Sequence, residues 1–224
     1  MLSGSISDKS EERTILLLGS TSTGKSTFID AICNYIFDTK WNEKTRFNLL
    51  KVPVPDSNMT TSIVIYTIYS GHHNQLPYTL NIIAAPAFTS YVRESLYHQL
   101  CTLGLLHCKA FKSINAICLC IKATETRLES EKDAIELIEH MLGVTAEYLI
   151  IIATFANPDK LPVCKVIDEA KIKYRNIVKI DNALLFTRNT KDDIVCLKDN
   201  ITDKESFLET YWNMENDYEH FSTI

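Results

Sequence analysis

Residues 13–28 read RTILLLGSTSTGKSTF. An unbroken apolar run ends in glycine, a short polar loop follows, and a helical pattern begins at once. A run without polar alternation describes a strand buried on both faces, the habit of parallel sheets covered by helices on either side. From Ser26 to Phe37 the apolar residues Phe28, Ile29, Ile32, Ile36 and Phe37 recur at helical spacing. Strand, tight loop and helix in this order confine the chain to an α/β fold and place a particular loop at the strand's C-terminal end.

That loop is Gly19-x4-Gly24-Lys25-Ser26, the phosphate-binding (Walker A) pattern. Each position has a task. Glycines let the backbone wrap a phosphate chain so that successive N–H groups point inward, and this assigns Gly19, Ser20, Thr21, Ser22, Thr23 and Gly24 to the cradle. Lys25 reaches the β- and γ-phosphates as a point charge. The Ser26 hydroxyl is a magnesium ligand, and Thr27 continues the first turn of a helix whose N-terminal dipole favours anions. The bland alternative is a glycine-rich turn. The strand before the loop and the helix after it count against that reading.

The alternation continues. SIVIYTIYS (62–70) and YTLNIIA (78–84) read as strands joined by GHHNQLP, a connection short enough for an antiparallel pair. INAICLCI (114–121), YLIIIAT (148–154) and NALLFT (182–187) read as further strands. Helices are expected around 90–109, over 126–143 with Gly143 as the stop, over 162–174, and from Thr202, where Thr202-x-x-Glu205 forms a capping box. Residues 39–59 carry Pro53 and Pro55 and read as a long loop. The sum is a three-layer α/β sandwich, a P-loop fold with five parallel strands and one antiparallel strand in a mostly parallel six-stranded sheet. A flexible arm (1–12) precedes one domain (13–224) that includes the C-terminal helix.

Composition narrows the function. The net charge is −5, with 28 acidic and 23 basic residues, which argues against a general nucleic-acid or anionic-membrane binder. No apolar run reaches the roughly 18 residues of a membrane span. The first twelve residues lack the apolar core of a signal peptide, and Leu2 argues against an N-myristoyl anchor. Seven scattered cysteines read as reduced thiols in a cytoplasmic protein. His98, Cys101, His107 and Cys108 cluster in sequence, but without knuckle spacing and among leucines, so they read as ordinary helix residues rather than a metal site. His72 and His73 lie in a turn, and Arg127 reads as a solvated helix start rather than a catalytic finger. Tyr35, Trp41 and Phe47 flank the long loop, where they pack or cover a nucleotide.

With these motifs placed, the chain from about Thr14 to about Phe221 resembles the septin-like and immunity-associated (AIG-type) branch of the Ras-like GTPases. GSTSTGKSTFIDAI resembles that branch's first G motif, and MTTSIVIYTIY its switch I. LNIIAAPAF falls where the branch has Asp-Thr-Pro-Gly, TFANPD where it has Thr-Lys-x-Asp, and NALLF where the last motif's backbone lies against the base. The resemblance implies a domain that binds GTP or GDP with Mg2+. It makes Ser26 and Thr61 the metal ligands, Thr60 or Thr61 the switch threonine, Asn157 or Asp159 the base reader, and Ala183 a base neighbour. Members often carry further helical segments, so the resemblance also implies a short form.

Two departures stand out. Ala84 replaces the aspartate of the third motif and Ala87 its glycine, and only Pro86 survives. An alanine holds no metal-bound water, so magnesium is expected to be weakly held and hydrolysis slow. Asn157 replaces an aspartate that accepts two hydrogen bonds from guanine. Its amide offers one acceptor and one donor, and the mismatch costs about 1–3 kcal/mol. Asp159 is the alternative reader if the loop is shifted, and a plain turn after a strand is the rival reading. A pseudo-GTPase scaffold and a P-loop ATPase therefore stand beside the GTPase. On the last helix Phe207, Tyr211, Met214, Tyr218 and Phe221 form a 3.5-residue seam. It either packs on the domain's own sheet or meets a second copy or a partner helix.

Overall fold

A computed structural model describes residues 11–39, 47–48, 63–71, 76–87, 114–142, 146–156 and 161–180, with only the backbone of 141 and 142. In chain order the elements are β1 (Glu12–Leu18), α1 (Lys25–Ile36), β2 (Val64–Ile68), β3 (Thr79–Ala84), β4 (Ala116–Lys122), α2 (Glu129–Leu142), β5 (Leu149–Thr154), α3 (Pro162–Ala170) and β6 (Asn176–Ile180). A single 3-10 turn, Ala146–Tyr148, leads into β5.

The strands form one sheet in the order β2-β3-β1-β4-β5-β6. Every pairing is parallel except β2 with β3. The antiparallel pair and the mostly parallel six-stranded sheet are as the sequence predicts. β3 and β5 are buried at every position, and β1 from Thr14 onward. Alternate side chains enter two separate cores. Ile15, Leu17, Ile82, Cys118 and Ile152 pack with Phe28, Ile29 and Ile32 of α1. Leu16, Leu18, Leu119 and Ile151 pack with Ile135 and Ile138 of α2 and Val163 and Ile167 of α3. Helices therefore cover both faces. Phe28 has no exposed surface, and cutting it to alanine would cost about 3–5 kcal/mol.

Two elements differ from the sequence expectation. The sixth strand of the described residues is Asn176–Ile180, which the sequence reading did not pick out, and the NALLFT segment expected as the last strand lies outside the described residues. NIVKI escapes a search for apolar runs because β6 is an edge strand. Val178 and Ile180 are buried while Asn176 and Lys179 are exposed, the alternation of a half-buried strand. Helix α3 stops at Ala170 rather than 174, because Lys171 turns left-handed (φ 58) and its N–H donates to the Asp168 carbonyl. Ile172 and Tyr174 still meet the α2–α3 core after the turn, so the apolar spacing outlasts the helix. Glu12 already belongs to β1, so the expected N-terminal arm loses its last residue to the sheet. The expected helices at 90–109 and from 202 lie outside the described residues.

Candidate nucleotide site

The loop between β1 and α1 is shaped by its two glycines. Gly19 has φ 146, and a Cβ there would stand 2.5 Å from the Cys120 carbonyl oxygen of β4. The chain can pass over the end of β4 only without a side chain. Gly24 has φ 85 and is the N-cap of α1, with no side-chain cap and no acid in the first turn. The first N–H groups of the helix are thus left to an external acceptor. Between the glycines, Ser22 is left-handed at φ 60. Thr21, Ser22 and Ser26 are exposed, Ser20 and Thr27 half-buried, and Thr23 buried.

Side chains lock the loop from within. Thr23 Oγ1 donates to the Ser20 carbonyl at 2.9 Å. Lys25 folds back, its ammonium donating to the carbonyls of Gly19 and, at 3.0 Å, Ser20. Burial pulls the Lys25 ammonium below the ordinary lysine value, while Cys120 and Glu131 nearby push the other way. A half-buried cation held by two carbonyls at the mouth of an anion cradle is a charge that phosphate oxygens can take over. The Cys120 thiol beside it is pushed up to about 12, mainly by burial, and is inert.

Two anchors hold the loop from outside, and neither was legible as a site residue. Thr154, the last residue of β5, donates its hydroxyl to the Thr23 carbonyl at 2.7 Å and to Ile121 at 3.2 Å. Glu131 of α2 is buried and accepts the Ser20 hydroxyl. Its signal lies in helix phase: Leu128, Glu131, Ile135 and Ile138 share one face, so an acid sits in the apolar stripe.

The neighbouring strand ends differently. Ala84 closes β3, pairs with Leu17 of β1, and is buried. Ala85 N–H donates to the Leu17 carbonyl at 3.0 Å, and Ala87 is half-buried. The structure thus brings Ala84 beside the end of β1, just before the P-loop, where it offers only a methyl. For a magnesium ion the described loop supplies the Ser26 hydroxyl, and the end of β3 supplies no carboxylate. Among the described residues the donors suit a triphosphate, and Ser26 is the one expected metal ligand they include. Among the described residues no group of three or more His, Cys, Asp or Glu could hold a metal.

Thr60, Thr61, Asn157, Asp159 and Ala183 lie outside the described residues, as do His98, Cys101, His107, Cys108 and the seam of the last helix. Arg127 is exposed, two residues ahead of α2, as a solvated helix start would be. Phe47 packs on Phe37 with ring centroids 4.8 Å apart, and Asn34 of α1 bonds both the N–H and the carbonyl of Phe47. Phe47 thus has a packing partner, and it is also exposed. Among the described residues no helix is long and apolar enough to cross a membrane.

No protein-family model matches the chain, and no curated protein matches it in sequence. Solved structures do match. A structure from work on dimerization and GTPase activity of the chloroplast translocon components atToc33 and psToc159 aligns with TM-score 0.50 and 14% identity, covering 81% of this chain and 74% of that one. Toc33 from Arabidopsis thaliana, solved with Mg2+ and GMPPNP, aligns with TM-score 0.49 and 16% identity over 77% of this chain and 71% of that one. At such identities the likeness concerns the fold alone, and the fold is that of a Ras-like P-loop G domain.

Proposed function

We propose that the chain is a guanine-nucleotide-binding protein of the septin-like and immunity-associated type, with weak or absent intrinsic hydrolysis. The observation that carries this reading is the contrast around Leu17 and Ala84: a complete phosphate cradle beside a strand end without a carboxylate. The likeness to a translocon G domain supports the fold on which such a function sits, by analogy.

In this reading the N–H groups from Ser20 to Ser26 surround the β- and γ-phosphates. Lys25 leaves the Gly19 and Ser20 carbonyls for the phosphate oxygens. Thr154 and Glu131 keep the loop in shape while it does so. Magnesium, when bound, neutralises charge on the transferring phosphoryl group; Ser26, with Thr61 on switch I, would hold it. With Ala84 unable to fix a metal-bound water, the site favours retention of nucleotide over turnover. Asn157, or Asp159, would read the base next to Ala183. A scaffold that keeps the fold without turnover is the second reading, and Ala84 is the observation that favours it.

Titration with a fluorescent GTP analogue tests the reading. Lys25→Ala should lose about a decade or more of affinity, since a charge-assisted contact worth roughly 1.5–3 kcal/mol disappears. Single-turnover hydrolysis should stay at or below roughly 10⁻⁴ per second. Equal affinities for wild type and variant, or binding by neither, would leave the scaffold.

A further inference from the structure

Ser20 joins two opposite charges. Its carbonyl accepts from the Lys25 ammonium at 3.0 Å, and its hydroxyl donates to the Glu131 carboxylate. Both charged groups are shielded from water. Glu131 is only 5% exposed, on the face of α2 that carries the buried Leu128, Ile135 and Ile138. Lys25 is half-buried; burial lowers its pKa, and the Glu131 charge acts in the opposite direction. A carboxylate this well buried is costly unless a cation or hydrogen-bond donors offset it. Lys25 and the Ser20 hydroxyl do so here.

Phosphate changes that balance. In the nucleotide-binding reading Lys25 turns to the phosphate oxygens. Glu131 stays, because it is set in the apolar stripe and bonded to the loop. Its charge then backs a cradle that holds an anion of several negative charges. Like charges oppose each other more strongly in a water-poor site than in water, and the cost rises with the charge of the ligand. Holding Ser20 needs no charge, since an amide carbonyl would accept the same hydroxyl. The charge of Glu131 therefore has an effect separate from its grip on the loop.

We propose that Glu131 sets the charge preference of the cradle, penalising a nucleoside triphosphate more than a diphosphate; this rests on the nucleotide-binding reading above. The carboxylate positions the loop through Ser20 and, by its charge, shifts relative affinity toward the diphosphate form.

The test uses the full chain with GDP and GTP in EDTA, at about pH 8, where GTP carries one more negative charge than GDP. Glu131→Gln keeps an acceptor for Ser20 and removes the charge. It should raise the ratio of GTP to GDP affinity by about two- to tenfold. Glu131→Met is of similar length and suits the apolar stripe, so it serves as a second neutral variant and should raise the ratio likewise. Glu131→Asp keeps the charge and should leave the ratio as in the wild type. A loop that merely loosened would shift both nucleotides together. An unchanged ratio in the neutral variants, while Lys25→Ala loses affinity, would overturn the charge role and leave the nucleotide-binding reading intact. A ratio raised equally in Glu131→Asp would tie the effect to loop shape and also overturn it. Binding of neither nucleotide by the wild type would remove the nucleotide-binding reading itself, and this proposal with it.

Discussion

β1 and β3 run side by side and deliver their next residues to the same end of the sheet, with Leu17 paired to Ala84. After β1 every structural demand of a phosphate cradle is met: two positive-φ glycines, an uncapped helix start, and a lysine held by loop carbonyls. After β3 the Ala85 N–H donates to the Leu17 carbonyl, but Ala84 and Ala87 carry no side-chain group that could hold a metal or a water. The difference separates two properties that usually travel together. Phosphate binding rests on backbone shape and one cation. In the reading proposed above, metal handling would rest on a carboxylate from the neighbouring strand, and Ala84 supplies none.

The comparison can be broken most severely on the β1 side. Gly19→Ala drives a Cβ to within 2.5 Å of the Cys120 carbonyl, on a backbone that L side chains rarely adopt. The variant should lose roughly 2–4 kcal/mol of stability, from strain and overpacking together. Denaturant unfolding of both proteins reads it. An unchanged midpoint would mean that the loop does not cross β4 as described.

The β3 side can be repaired instead. Ala84→Asp with Ala87→Gly should tighten magnesium on the nucleotide complex by about 10- to 100-fold, the usual effect of a residue that orients a metal-bound water. The nucleotide-free protein should become less stable, because the new carboxylate enters a buried position. Magnesium titrations followed by a fluorescent nucleotide check the first expectation, and thermal unfolding without nucleotide the second. No gain in magnesium affinity would show that Ala84 does not face the metal.

A smaller effect sharpens the β1 side. Thr154→Val keeps the shape of the side chain but withdraws the hydroxyl from the Thr23 and Ile121 carbonyls. It should cost about 1–3 kcal/mol of stability. Nucleotide affinity should fall along with it, since Thr154 holds the loop that binds phosphate. Loss of stability with full affinity would confine Thr154 to packing.

Much of this was visible in the residues themselves. β1, β4 and β5 read as strands because central strands of a covered sheet are apolar at nearly every position. The cradle read clearly because glycine, lysine and serine at fixed spacing leave few other uses. β6 did not, since an edge strand such as NIVKI shows only half its apolar residues to the core. Glu131 and Thr154 escaped for another reason. Their roles depend on which segment packs on which: Ser20 and Glu131 are 111 residues apart, and Thr154 and Thr23 are 131 apart. Periodicity reports one element at a time and is silent on such meetings.

The central claim is that the cradle holds phosphate with little help from metal. Isothermal titration of the wild-type chain with GTP, once in excess magnesium and once in EDTA, tests it most directly. With Lys25 and the loop N–H groups intact and no carboxylate at Ala84, affinity should differ by less than about tenfold between the two conditions. A loss of about a hundredfold or more in EDTA would contradict the account. It would mean that a residue other than Ala84 supplies the missing carboxylate.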